Sequence, residues 1–178
     1  MLLAALEVFA ESGYGSATVE SIAARAGVAK VTLYTYFPQG RDELFRELYE
    51  NINDELIEKA RQIQASDGQF ADRALALTEA LMGVARRPLI GRFYSIDDPA
   101  LDVALDGVRG RASRAWADLI AADLADAQQR GAVTTQVPPR AFAELLVGAM
   151  RSALSKVARE EGASGDIVQA MRALLSGL

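Results

Sequence analysis

Apolar residues recur at intervals of three and four along almost the whole chain, and this helical period constrains the fold more than any other feature. In the middle of the chain, for example, it is carried by Leu44, Leu48, Ile52 and Leu56. Nowhere do Val, Ile and aromatic residues alternate with polar ones over the length of a strand. The sequence therefore predicts an all-α protein.

Glycine, proline and polar clusters divide the periodic segments into nine predicted helices. The first ends at the SGYG of residues 12–15, Thr18 caps the second, and Gly27 ends the second about two residues before the third begins. The other six are predicted at about 41–64, 70–86, 88–97, 100–129, 139–160 and 165–177. Within the range 100–129, Gly107 and Gly110 mark a weak point.

Composition narrows the chemistry that the chain can perform. Of its 178 residues 51% are apolar, which suffices for one domain with a sizeable core or a small domain docked on a larger one. Because the chain has no cysteine and no histidine, most zinc sites, thiol nucleophiles and imidazole bases are excluded. It also lacks a strand-turn-helix serine motif and a phosphate loop. We predict no enzymatic activity, no cofactor and no metal.

The hydropathy pattern indicates the cellular compartment in which the protein is expected. No uncharged apolar stretch approaches the roughly eighteen residues that a membrane-spanning helix needs. The leading LLAALEVFA lacks a basic start and carries Glu7, so it does not fit a signal peptide. We expect a cytoplasmic protein with no membrane partner.

Residues 18–37 combine a capped helix, a glycine turn and a short helix rich in hydroxyl groups, which predicts a helix-turn-helix. On the short helix Leu33 and Phe37 lie four residues apart and suit the core. The other side chains of KVTLYTY remain for the surface.

That outer surface suits the major groove of DNA. Lys30 can donate to guanine, and Val31 or the methyl group of Thr35 can contact a thymine methyl. Hydroxyl groups on the flanks can hold phosphates. Tyr and Thr at helical spacing are also common as half-buried packing residues, and residues 1–50 carry four basic against seven acidic side chains. Periodicity alone leaves both interpretations open.

Residues 4–45 read AALEVFAESGYGSATVESIAARAGVAKVTLYTYFPQGRDELF. The string resembles the N-terminal DNA-binding domain of TetR-family transcriptional regulators, in the segments from Ala5 to Tyr14, Thr18 to Val28, Thr32 to Phe37 and Arg41 to Phe45. The resemblance implies a three-helix helix-turn-helix DNA-binding domain at residues 1–45. A larger helical domain for ligand binding and dimerisation would follow at residues 46–178.

The resemblance also implies roles for single residues. Those implied to face bases are Lys30, Val31, Tyr34 and Thr35, and those implied to contact phosphates are Thr18, Thr32 and Tyr36. Arg41 stands where many members have a lysine at the start of the fourth helix.

The sequence departs from the family pattern in three places. It begins almost inside the first helix, so a basic N-terminal arm is expected to be missing before it. The segment FPQGRDELF is one residue longer than the common FPSKEALF. Glu20 occupies a position that can approach DNA, where a carboxylate could accept from cytosine or repel a phosphate.

The fifth to eighth predicted helices contain apolar and aromatic residues that suit a small-molecule pocket between bundled helices. The residues predicted to line it are Leu77, Met82, Phe93, Tyr94, Trp116 and Ile120. Three nearby arginines are candidate polar anchors: Arg86, Arg87 and Arg92. Taken singly, each apolar residue is more typical of a core.

The last two predicted helices offer an apolar face for a second copy of the chain. The residues predicted at this interface are Leu145, Ala149, Ala153, Met171 and Leu174. The same residues could pack on their own domain, but the resemblance favours dimerisation.

These observations favour a ligand-responsive DNA-binding transcriptional regulator. It would be a repressor that a small apolar or aromatic effector releases from a palindromic operator. Its partners would be double-stranded DNA, a second copy of itself and the effector. The alternative is a dimeric helical adaptor or antagonist that has lost DNA binding, which the acidic N-terminal segment and the missing arm support.

Overall fold

The computed structural model describes residues 1–160 and 162–177, and in this part of the chain the regular structure is entirely helical. The helices described are α1 (Leu2–Ser16), α2 (Val19–Ala26), α3 (Lys30–Tyr36), α4 (Arg41–Gln64), α5 (Phe70–Ala85), α6 (Pro88–Tyr94), α7 (Leu101–Ala104), α8 (Arg111–Gln129), α9 (Pro139–Arg159) and α10 (Ala163–Leu175). None of the helices described is both long enough and apolar enough to cross a bilayer.

Local sequence signals set the ends of α2. The Thr18 hydroxyl accepts a hydrogen bond from the Ser21 amide at 3.1 Å, and the Ser21 hydroxyl accepts one from the Thr18 amide at 3.1 Å. This reciprocal cap satisfies amides that a helix start leaves unpaired. At the other end Gly27 has φ 66°, a left-handed conformation that favours glycine and ends the helix. Both predicted signals are confirmed.

The prediction of one helix over 100–129 is wrong, because the structure divides this range into α7 and α8. The two helices are separated by turns in which Gly107 has φ 77° and Gly110 has φ 76°. Two residues in the left-handed region cannot belong to a continuous right-handed helix. The sixth helix also ends earlier than predicted, at Tyr94, and the last begins earlier, at Ala163.

Helix α4 joins a small N-terminal head, α1 to α3, to the helical body. It packs on α1 of the head and on α5, α7 and α8 of the body. Within the body α8 packs on α9, α10 packs on α5 and α9, and α6 packs on α1, α5 and α9. The predicted domain boundary after residue 45 falls inside α4, so this helix belongs to both parts.

Four buried aromatic rings connect the head with the body, and we call them the junction cluster: Phe9, Tyr14, Phe45 and Phe93. The ring centre of Phe45 lies 4.9 Å from that of Phe9, 5.0 Å from that of Tyr14 and 4.5 Å from that of Phe93. Aromatic pairs at such distances add to the stabilisation from burial. The hydrophobic core is therefore continuous from α1 to α6.

A buried ion pair fastens α5 to α8. Arg73 donates from Nε to Asp123 Oδ2 at 3.0 Å and from Nη2 to Asp123 Oδ1 at 2.5 Å. A third donor, Nη1, reaches the Gly68 carbonyl at 2.7 Å. Both side chains are 9% exposed, so the pair is largely removed from water.

Candidate DNA-binding surface and ligand cavity

Helix α3 has seven residues, and its outer face is exposed. Val31 is 73% exposed and Tyr36 is 65% exposed, and Tyr34 and Thr35 are exposed beside them. On the inner face Leu33 is fully buried, and Phe37 at the helix end is almost so. The outer side chains therefore do not pack into the body of this chain, and the packing interpretation fails for them.

Lys30 on α3 is paired with Glu20 on α2, and both side chains are largely exposed. Their hydrogen bond raises the pKa of the Lys30 ammonium and lowers the pKa of the Glu20 carboxyl. The Lys30 nitrogen also lies 5.8 Å from the centre of the Tyr34 ring. Glu20, which departs from the family pattern, thus orients the only lysine of the predicted DNA-binding residues.

The hydroxyl groups of the predicted surface fall into two sets. Thr18 caps α2, and Thr35 donates to the Val31 carbonyl at 2.9 Å. In contrast, no hydrogen bond joins the hydroxyls of Thr32, Tyr34 or Tyr36 to another residue in the described part of the chain. These three are available to an external acceptor such as a phosphate.

Arg41, at the start of α4, contacts groups of its own chain. Its Nη1 lies within hydrogen-bond reach of the carbonyls of Tyr14 at 3.3 Å and Ala17 at 3.3 Å, and its guanidinium lies 4.6 Å from the centre of the Tyr14 ring. Gly13 interrupts α1 with φ 76°, which leaves carbonyls at the helix end without partners. Arg41 therefore holds the end of α1, and the structure does not support its assignment to DNA.

A cavity of about 350 Å³, which we call the inner cavity, lies among α4, α6, α8 and α9, with α7 at its side. Phe93, Tyr94 and Trp116 line it, as predicted. The other three predicted residues lie elsewhere: Leu77, Met82 and Ile120. Those three are fully buried in the core.

Sequence reasoning missed several lining residues of the inner cavity. From α4 come Phe45 and Tyr49, and the polar members are Arg109, Ser113, Arg151, Ser152 and Ser155. The arginines named from the sequence do not line the cavity; one of them, Arg87, pairs with Glu55 at 2.6 Å. A signal was present in α9, where a cluster of polar residues interrupts an apolar stripe.

Hydrogen bonds and ring stacking hold the wall of the inner cavity in place. The Tyr94 hydroxyl donates to Asn53 Oδ1 at 2.5 Å, and the Tyr94 ring stacks on Tyr49 with centres 5.2 Å apart. Burial, assisted by Tyr49, raises the pKa of the Tyr94 hydroxyl, which therefore stays neutral. Trp116 donates from its indole nitrogen to the Leu56 carbonyl at 3.1 Å. Contacts within the chain thus hold the wall of the cavity.

A second, smaller cavity of about 190 Å³ lies on the outer side of α8 and α9, and we call it the outer cleft. It shares four lining residues with the inner cavity: Ser113, Val147, Gly148 and Arg151. The two spaces are therefore neighbours, and Arg151 stands between them.

Two of the residues predicted at a dimer interface are exposed leucines, one on α9 and one on α10. Leu145 is 77% exposed and Leu174 is 72% exposed, and Ala149 is exposed near Leu145 on α9. Ala153 is half-buried against the core. Met171 is only 5% exposed and packs into its own domain, so its assignment to the interface is not supported.

Comparison with known proteins agrees with this arrangement of helices. Residues 1–48, which hold the head and the first turns of α4, match the model of the family described as bacterial regulatory proteins, tetR family. The head of this chain is thus similar to the N-terminal segment of TetR-family proteins.

A curated TetR-type relative is the HTH-type transcriptional activator FasR of Mycolicibacterium smegmatis, which is 36% identical over 80 residues. The match covers 45% of this chain and only 36% of the length of that relative.

Solved TetR-like structures resemble the whole chain. FadR from Bacillus halodurans, described as a fatty acid degradation regulator, has a TM-score of 0.80 at 19% identity and covers 99% of this chain and 96% of its own. FadR from Bacillus subtilis, solved with stearoyl-CoA, has a TM-score of 0.81 at 18% identity and covers 99% and 97%. At these identities the likeness concerns the fold, and it confirms a helix-turn-helix head on a larger helical domain.

Proposed function

We propose that the protein is a ligand-responsive DNA-binding transcriptional regulator. Two copies would bind a palindromic operator through α3, and a small apolar or aromatic effector in the inner cavity would release them. The observation that carries this proposal is the division of α3 into a buried face, Leu33 and Phe37, and an exposed face with free hydroxyls. Such a helix can enter the major groove while its flanks hold phosphates.

The contacts of the inner cavity support a route from effector to DNA. Phe45 and Phe93 belong both to the cavity wall and to the junction cluster, so a ligand would touch the core of the head directly. Arg46, the next residue of α4, donates to the carbonyls of Ala104 at 3.2 Å and Asp106 at 3.0 Å, beside the end of α7. A ligand that moves α6 or α7 would therefore tilt α4 and change the spacing of the two α3 helices.

The test of DNA binding uses the DNA immediately upstream of the coding region, searched for an inverted repeat. In footprinting, the protein should protect this repeat, and Lys30→Ala should weaken protection about tenfold because one specific base contact contributes roughly 1–3 kcal/mol. Tyr36→Phe should weaken it less, through the loss of one hydrogen bond to phosphate.

Lys59→Ala, which removes an exposed lysine from the later turns of α4, is the matched control and should leave protection unchanged. If Lys30→Ala and Tyr36→Phe also left it unchanged, the assignment of α3 to DNA would be wrong. If the protein failed to bind the repeat in a salt-dependent manner, the adaptor alternative would gain support.

Dimerisation is tested at the exposed leucines on α9 and α10. Leu145→Asp should convert the dimer to monomer in sedimentation velocity runs at micromolar concentration, since a carboxylate from each copy would be buried near the twofold axis. Val103→Asp is the control, because Val103 is 81% exposed but lies on α7. If the Leu145→Asp variant remained a dimer, the interface would have to lie elsewhere on the protein.

A further inference from the structure

We propose that the effector is an amphipathic anion whose carboxylate or phosphate head binds Arg151, between the inner cavity and the outer cleft, while its apolar tail fills the inner cavity. This inference rests on the effector binding of the proposed function and names the class of compound.

The wall of the inner cavity combines an apolar interior with positive charge. Aromatic and aliphatic side chains such as Phe45, Phe93 and Met150 form most of it. In the part of the chain that the structure describes, its lining residues include two arginines, Arg109 and Arg151, and no carboxylate. This local excess of positive charge stands out in a chain whose net charge is -5. A negative group is therefore attracted to the cavity although the protein as a whole repels it.

Of these two arginines, Arg151 is the one without a partner. Arg109 is paired with Asp102, whereas no hydrogen bond or ion pair joins Arg151 to another residue in the described part of the chain. The hydroxyls of Ser113 and Ser155 line the same cavity and likewise have no hydrogen-bond partner there. A guanidinium with neighbouring hydroxyl donors is a suitable set for carboxylate or phosphate oxygens.

The outer cleft continues this positive surface. It adds Arg114 and Arg140 to the shared Arg151, with Glu144 as its acidic lining residue. Arg140 is already paired with Asp118 and with Glu144, so Arg114 and Arg151 retain their charge for a ligand. A bulky anionic head can extend into this cleft without entering the apolar interior.

Neutral and cationic effectors fit the same site less well. A cation would meet two guanidinium groups in a space partly shielded from water, where like charges repel strongly. A neutral tail would cover Arg151 without giving its charge a counterion, and an unpaired charge removed from water is unfavourable.

The test measures binding to the full chain in the absence of DNA. Trp116 is the only tryptophan and lines the inner cavity, so its fluorescence reports occupancy. The probes are decanoate, decyl phosphate, decanol and decyltrimethylammonium, which vary the head on one tail. At least one anion should bind about tenfold more tightly than decanol, as expected for one charge-assisted hydrogen-bonded pair. If decanoate binds more tightly than decyl phosphate, the preferred head is a carboxylate; the reverse order indicates a phosphate.

Arg151→Gln should remove this preference, so that the preferred anion binds within about threefold of decanol. Arg159→Gln, on the same helix but outside both cavities, is the matched control and should keep the preference.

Equal binding of decanol and the anions, binding of none of the four, or an unchanged preference in Arg151→Gln would each overturn the inference. Operator protection by ligand-free protein is measured separately, so a regulator with another class of effector would still protect DNA. If the ligand-free protein did not protect the operator, that result would instead count against the proposed function.

Discussion

Gly91→Ala is expected to lower the free energy of unfolding by about 3 kcal/mol or more, at the upper end of the range for overpacked cores. A methyl group at this position of α6 would lie 2.1 Å from the carbonyl oxygen of Ala85, the last residue of α5. Backbone cannot rotate away as a side chain can, so α6 must shift. Urea unfolding followed by circular dichroism measures the change.

Gly83→Ala is the matched control, because Gly83 is also a helical glycine of the body but a methyl group there meets nothing within 4 Å. It should raise the free energy of unfolding by about 0.5–1 kcal/mol through helix propensity. Equal stability of Gly91→Ala and the unmodified protein would show that α5 and α6 do not approach as closely as described. Since α6 carries Phe93 and Tyr94, Gly91→Ala should also weaken binding in the inner cavity.

Arg73→Met is expected to destabilise the protein by about 3–5 kcal/mol, the range for breaking a buried ion pair on one side. The substitution leaves the Asp123 carboxylate buried without its two hydrogen bonds, and the Gly68 carbonyl without its donor. The measurement is again urea unfolding at neutral pH.

The double variant Arg73→Met with Asp123→Leu should recover most of this loss, because two apolar side chains of suitable size can replace a buried pair. Arg130→Met breaks the exposed pair between Arg130 and Asp126 and should change stability by less than about 1 kcal/mol. If the double variant were no more stable than Arg73→Met alone, the isolated carboxylate would not be the cause.

Signals that act within a few residues could be predicted from the sequence. The Thr18 cap and the left-handed Gly27 fixed both ends of α2, and the spacing of Leu33 and Phe37 identified the buried face of α3. The break between α7 and α8 is harder to predict, because two glycines in a helical pattern indicate a weak point but do not by themselves show that the helix ends.

The inner cavity was less predictable, because a cavity depends on how several helices pack against one another. Periodicity correctly indicated that Leu77 and Ile120 are buried, but it cannot separate a residue that faces a space from one that faces a neighbour. Arg41 and Met171 failed for the same reason. Their contacts come from segments that are distant in sequence. Arg41 contacts the end of α1, and Met171 packs against helices of its own domain.

The junction cluster has a consequence for engineering hybrid regulators. If the head of a TetR-family regulator were grafted onto this body by joining the chains after residue 45, Phe93 would meet foreign partners in place of Phe9 and Phe45. Such a hybrid would have a poorly packed core beside the inner cavity, where the effector would bind. Hybrids that keep Phe9, Tyr14, Phe45 and Phe93 together should still release DNA when the effector binds.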